Sequence, residues 1–322
     1  MKYAIGIDLG GTNLKIGLVN KNGKVIGDKK FPTKGYKGPK PLIDKIVLET
    51  EKLIRSAKID SDDICGIGVG VPGIVDSING IIYNLTNISG WKNVYLKKEL
   101  EKRTKLKAYV DNDVNMMAVG ELYYGAAKGG KNVVCITLGT GVGGGIIIDG
   151  KLYRGSSLAA GEIGHITLNE KGPKCNCGNH GCLEVFVGNQ RIIAHAIGGI
   201  ESGAETSIMK LARGDLKKIT PEIISAAALK GDKFAIDVWK RVGECLGIVF
   251  AGIINFLNPD MIVIGGGIAK AGDVMFSEMR KTIRKRAFKI SVDKARIVQA
   301  KLGYNAGIIG AATLPMVEEN VL

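Results

Sequence analysis

Residues 3–30 read "YAIGIDLGGTNLKIGLVNKNGKVIGDKK", and their pattern carries the fold. Apolar residues alternate or run together over 3–7, 15–19 and 24–30, which predicts three successive strands. Asn22-Gly23 is expected to close the second hairpin as a type I′ turn, because both residues tolerate the positive φ such a turn needs. Between the first two strands lies "DLGGTN", a turn too rich in glycine to serve packing. The same order returns from residue 133: "VVCITL" as a strand, "GTGVGGG" as a glycine turn, "IIID" as a strand, Asp149-Gly150 as a hairpin turn, then "KLYRG". This is a repeat of topology rather than of sequence. It predicts two similar α/β domains, each presenting one glycine turn.

Working outward, apolar residues at helical spacing predict helices over 41–57, 221–230 and 234–256, the last ended by Asn258-Pro259. A buried strand is expected at 64–71, and a short one at 107–110 runs into a helix that reaches about Gly125. "MIVIGGG" is a further strand and glycine turn, followed by a strand over 295–300 and a terminal helix over 305–314.

The 322 residues suit two compact domains, and 45% hydrophobic content supplies cores of that size. No apolar run has the length of a membrane span, and the polar N-terminal stretch is unlike a signal peptide, so a soluble cytoplasmic protein is expected. Basic residues outnumber acidic ones by 45 to 31, giving +14, but they are scattered in ones and twos apart from "RKTIRKRAFK" at 280–289. That stretch reads as a helix with Phe276, Met279 and Ile283 inward and its cations in solvent, an anion-binding patch being the other reading. Cys65, Cys135 and Cys245 lie in apolar surroundings and read as small buried hydrophobes. His195 reads as a core or surface histidine of an apolar helix.

A glycine turn after a strand bares backbone N–H groups and lets a phosphate approach where a Cβ would block it. Residues 139–144 satisfy G-x-G-x-x-G, yet the chain continues as a hairpin rather than a helix, which excludes a dinucleotide fold. Taken together, "DLGGT" at 8–12, "LGTGVGGG" at 138–145 and "IGGG" at 264–267 resemble the ROK sugar kinases of the actin-like and hexokinase-like ATPase superfamily, most of all their bacterial glucokinases. The resemblance spans essentially the whole chain. It implies a two-domain α/β fold with a ribonuclease H-like duplication: residues 1–112 plus about 303–322, and about 113–302, with the sugar in the cleft. It also implies that Asp8 holds Mg²⁺ through water, and that Gly10, Gly11, Thr12, Asn13 and Lys15 face the transferred phosphate. Gly139, Thr140, Gly141 and Gly143 would meet the other phosphates of ATP, and Gly265, Gly266 and Gly267 its adenosine.

Phosphoryl transfer to a hydroxyl needs in-line positioning, charge neutralisation and a carboxylate that accepts the proton. "DNDVN" offers Asp113 at the junction of a strand and a helix, where an N-cap is the plainer role for an aspartate. The resemblance makes Asp113 the base and Asn112 a sugar ligand. It likewise points to Gly73 of "VPG", Asn87 of "NISGW" with Trp91 nearby, Glu162 and His165 of "AGEIGH", and Glu184 of "GCLE" as hexose-binding residues. The family often has proline just before the asparagine, where this chain has Thr86.

His165, Cys175, Cys177 and Cys182 form H-x9-C-x-C-x4-C, a donor set suited to a structural tetrahedral Zn²⁺ and matching the family's zinc motif. His180, inside the loop, is the competing ligand. The resulting expectation is an ATP-dependent glucokinase with a zinc-clipped loop, working as a homodimer or homotetramer without nucleic acid or membrane partners. Another hexose (mannose, fructose, allose or an N-acetylhexosamine) and polyphosphate as donor remain open. A sugar-responsive repressor is disfavoured because the first phosphate turn begins at residue 8, and an actin-like or chaperone-like ATPase would not need the polyol pocket.

Overall fold

The computed structural model describes residues 2–85, 88 and 90–321. Its strands are β1 (Tyr3–Leu9), β2 (Asn13–Asn20), β3 (Val25–Pro32), β4 (Ile64–Val71), β5 (Val75–Asp76), β6 (Ile81–Asn84), β7 (Lys92–Tyr95), β8 (Ala108–Asn112), β9 (Val133–Leu138), β10 (Val142–Ile148), β11 (Lys151–Tyr153), β12 (Met261–Gly265) and β13 (Arg296–Gln299). Its α-helices are α1 (Pro39–Ser56), α2 (Leu96–Thr104), α3 (Asp113–Tyr124), α4 (Glu184–Val187), α5 (Asn189–Glu201), α6 (Ile208–Leu211), α7 (Pro221–Leu229), α8 (Lys233–Leu257), α9 (Asp273–Arg286), α10 (Lys289–Val292) and α11 (Ala306–Val321).

Two five-stranded sheets repeat one order, β3-β2-β1-β4-β8 and β11-β10-β9-β12-β13. The duplication expected from the two glycine-bearing stretches is therefore real. Asp149-Gly150 closes β10 onto β11 with both residues at positive φ, 51° and 78°. Asn22-Gly23 behaves differently. Gly23 donates to the Asn20 carbonyl and alone takes positive φ, and the register slips between Leu18 and Val19. The Asn20 side chain accepts from the N–H groups of Asn22 and Lys24, which favours a bulged turn over the type I′ form. A small sheet, β5-β6-β7, was not foreseen, since strands this short carry too little alternation to read.

The chain divides into two compact units. The first comprises Met1–Cys135, Gly145–Gly161 and Ala300–Leu322. In it β1 pairs antiparallel with β2 and parallel with β4, and β4 pairs parallel with β8. Ile5, Ile7, Leu14, Ile16, Ile67 and Val69 pack with Leu42, Ile43 and Ile46 of α1 in one buried core. Each such side chain contributes about 1.5–3 kcal/mol by leaving water. Helix α11 packs on α3 and across β1 and β4. The approach is close because Gly6 and Gly68 face the carbonyls of Ile308 and Ala311, and Gly310 faces that of Met116, where a Cβ would collide. Buried Glu121 of α3 accepts the N–H groups of Ala126 (2.6 Å), Lys301 (3.1 Å) and Leu302 (2.8 Å), so it ties the end of its own helix to the segment entering α11.

The second unit comprises Ile136–Gly144 and Glu162–Gln299. Its backbone is α8 against α9, where Val242, Leu246 and Phe250 are buried beside Met275, Met279 and Ile283. Gly243 and Gly247 let the helices meet at backbone distance, since Cβ atoms there would strike the Met275 carbonyl and Thr282. Asp232 caps α8 at Ala235, and Asn258 ends it in the left-handed region at φ 44°. Phe276, Met279 and Ile283 are inward as expected, although α9 stops at Arg286. Cys135 and Cys245 are buried; Cys65 is only half-buried, which corrects its reading as a core residue. Among the described residues no helix is long and apolar enough to cross a membrane.

Replacing Gly68 by alanine is expected to destabilise the protein by about 1–3 kcal/mol or more, because its Cβ has no room against the Ala311 backbone. Urea melts compared with wild type check this; an unchanged midpoint would show that α11 can shift without loss.

Candidate active site

The D-N-D segment sits where β8 hands over to α3, and the three side chains have distinct jobs. Asn112 is the N-cap. Its Oδ1 accepts from Val114 N–H at 2.8 Å and Asn115 N–H at 3.3 Å, and its Nδ2 donates to the Gly73 carbonyl at 3.2 Å. The plainer reading of Asp113 as the cap is thereby corrected: the cap falls one residue earlier, and Asp113 opens the helix. Its Oδ1 still accepts from Val114 N–H at 2.9 Å. Asp111 is buried and accepts from Asn112 N–H, Asn115 Nδ2 and Arg154 Nε. Sequence reasoning missed Arg154, whose partner lies 43 residues away. No local signal marks such a pair.

Asp8, one residue from the end of β1, lies opposite Lys15 of β2 and Gly70 of β4. Its carboxyl lies against Gly307, where a Cβ would come within 2.7 Å. Burial, partly offset by the Lys15 ammonium, pushes Asp8 above its ordinary value. Lys15 also donates to the Tyr304 carbonyl at 2.9 Å and lies 3.3 Å from the centre of the Tyr304 ring. Gly10 N–H donates to the Asn13 carbonyl, and Thr12 carries an exposed side chain at the tip. Gly11 and Gly73, the latter at φ 90°, line one pocket of about 460 Å³ with Tyr83, Asn84, Leu85 and Ile88. The first unit thus brings Gly11, Gly73 and Asn112 together. Asn87 lies outside the described residues. Trp91, close to Asn87 in sequence, is a fully buried core residue.

In the second unit the turn after β9 is held from its own side. Glu184, opening α4, accepts the Val142 N–H through Oε2 at 3.0 Å, and its carboxylate lies against Gly141, where a Cβ would displace it. Asn189 N–H donates to the Gly139 carbonyl at 2.9 Å, while Thr140 and Gly143 stay at least partly exposed. Gly266 turns at φ 90° against the Leu138 carbonyl, which only glycine permits, and Gly265 is buried while Gly267 is exposed.

His165, Cys175, Cys177 and Cys182 place one donor atom each within 4.8 Å of one another. Cys175 Sγ lies 3.6 Å from His165 Nδ1, and Cys177 Sγ lies 3.6 Å from Cys182 Sγ. Tetrahedral zinc at ordinary bond lengths would separate its sulfur ligands by roughly 3.8 Å. The donor set therefore fits such an ion. His180 is turned elsewhere, its Nδ1 3.4 Å from the Gly172 carbonyl. His165 Nε2 lies 3.8 Å from Glu162 Oε2, on an exposed side chain. His195 is exposed on α5.

The ROK family description matches residues 4–317. The chain belongs to the ROK family. It is 37% identical to a glucokinase of Halalkalibacterium halodurans over 99% of this chain and 96% of that protein. It is 32% identical to a xylose repressor of Caldicellulosiruptor bescii, spanning 96% of this chain and 77% of the repressor. A solved ROK glucokinase from Streptomyces griseus, in complex with glucose and AMPPNP, superposes with a TM-score of 0.81 at 31% identity, covering 97% and 98% of the two chains. The α/β fold is that of the ROK hexokinase-like proteins.

Because Asp8 is raised in the folded chain, its ionised form is less stable there than in the unfolded chain. That penalty is absent below the unfolded value and complete above the folded one. Asp8→Asn is expected to raise the melting temperature at neutral pH, by a margin that shrinks as pH falls into the carboxylate range. Thermal melts across pH check this, and a lower melting temperature at neutral pH would contradict it.

Proposed function

We propose that the protein is an ATP-dependent hexokinase of the glucokinase type, converting glucose and ATP to glucose 6-phosphate and ADP. The observation that carries this reading is the division of labour at the D-N-D turn. Asn112 caps α3 and Asp113 opens the helix one residue on, while the Asn112 side chain reaches the carbonyl of Gly73, which lines a pocket together with Gly11. In the reaction Asp113 takes the 6-hydroxyl proton as that oxygen bonds to the γ-phosphorus, and the bridging P–O bond breaks toward ADP. The relatives named above support both substrates.

Asp8, Gly10, Gly11, Thr12, Asn13 and Lys15 would face the transferred phosphate, with Asp8 as the Mg²⁺ neighbour. A bound Mg²⁺ supplies neutralisation of phosphate charge. Gly139, Thr140, Gly141 and Gly143 offer backbone N–H groups to the remaining phosphates, and Gly265, Gly266 and Gly267 face the adenosine.

Gly73, Asn87, Asn112, Glu162, His165 and Glu184 are proposed as hexose ligands. Glu184 is pre-aimed by its bond to Val142 N–H. His165, Cys175, Cys177 and Cys182 would hold a structural Zn²⁺, leaving His165 with an Nε2–H of fixed tautomer to donate to a hydroxyl. With four protein ligands such an ion has no open position, so its contribution is shape. Other hexoses and a homodimer or homotetramer belong to the same proposal.

ADP release should be highest with glucose in a panel that also holds mannose, fructose, allose, N-acetylglucosamine and N-acetylmannosamine. Asp113→Asn should lower turnover by about 10²–10⁴-fold. Undiminished turnover in that variant would remove Asp113 as base, and preference for another sugar would reassign the substrate. Chelation should weaken hexose binding and local stability more than nucleotide binding, with zinc restoring both. Calorimetric titration of each ligand before and after chelation reads this out; equal losses would contradict it.

A further inference from the structure

We infer that Arg154 is a positioning residue for the D-N-D turn, acting through the carboxylate of Asp111 to hold Asn112 and, next to it, Asp113. The inference rests on the reading of Asp113 as the base. Arg154 Nε lies 2.7 Å from Asp111 Oδ2, and the two side chains are 11% and 4% exposed. The other oxygen of Asp111 accepts Asn112 N–H at 2.7 Å and Asn115 Nδ2 at 2.8 Å. One carboxylate therefore gathers a cation, the backbone of the residue before Asp113, and a side chain from the first turn of α3.

Asn112 is gripped twice, by its N–H to Asp111 and by its side chain to the helix N-terminus and the Gly73 carbonyl. Asp113 inherits its attitude from that residue. Arg154 is itself fixed, since its carbonyl accepts Ala160 N–H at 2.9 Å beyond a turn in which Gly155 has φ 73°. A buried carboxylate that loses its ion-pair partner becomes an uncompensated charge, and here it would stand two residues from the base. Asp111 would then move toward water, and its grip on Asn112 would loosen. A lysine could restore the charge but not the planar Nε–H that meets Oδ2.

Steady-state kinetics on Arg154→Met, Arg154→Lys, Asp111→Asn and the Asp111→Asn/Arg154→Met double variant test this, with Asp113→Asn alongside. Arg154→Met is expected to lower kcat about 10²-fold, the scale of an ångström-sized misplacement, with the KM for ATP unchanged. Arg154→Lys should recover part of that loss. In the Asp111→Asn background the arginine change should cost little more, because the two act as one unit. Wild-type kcat in Arg154→Met, independent multiplication of the two losses, or a parallel fall in kcat, ATP affinity and melting temperature would overturn the inference. Should the methionine variant not fold, the lysine variant decides: full kcat there overturns it. If Asp113→Asn keeps its turnover, the base reading fails on its own; if Asp113→Asn is inactive while Arg154→Met is unimpaired, only the role of Arg154 fails.

Discussion

The carbonyl oxygens of Ile308 and Ala311 occupy the places where side chains of residues 6 and 68 would begin. Everything in the first unit depends on that approach of helix backbone to strand backbone. With alanine-sized residues there, α11 would ride higher, and Asp8 would lose the wall that Gly307 makes against its carboxyl. Dense interiors transmit such shifts rather than absorbing them. The second unit solves the same problem between helices, with Gly243 and Gly247 bringing α8 onto α9. Small residues are thus spent at the contacts where two backbones must meet.

Polar groups inside this frame are satisfied by backbone more than by one another. Glu121 accepts three main-chain N–H groups, Asn112 caps a helix, and Glu184 holds the turn at Val142. Each of these side chains turns a loop that might take many shapes into one, by closing donors that could not be left unpaired away from water. Among the described residues Asp111 differs in answering to a buried arginine as well. The candidate base therefore stands on a segment braced from both the helix side and the strand side.

Much of this was legible in the sequence because the signals were local. Strand alternation across residues 3–30, the hairpin turn at Asp149-Gly150, the stop of α8, and the spacing from His165 to Cys182 are local signals. What escaped depends on distant partners or weak faces. Arg154 meets Asp111 only in the fold, and Glu121 meets the segment before α11 nearly two hundred residues on. Helix α2 buries only two residues, too few to draw an amphipathic stripe. The choice of Asn112 over Asp113 as cap turns on the register of one residue at the end of β8, which spacing alone does not reveal.

The seat of α11 also orders the chain in time. Gly6 and Gly68 find their partners at Ile308 and Ala311, on the far side of the whole second unit in sequence. During synthesis β1 through β4 can pair early, yet one face of their sheet stays uncovered until the last helix emerges. The intervening unit, whose α8 and α9 are linked through β12, can meanwhile close on itself. The nascent protein must therefore carry an unfinished first half for most of its translation, and the contact that completes it is the most non-local one it makes there.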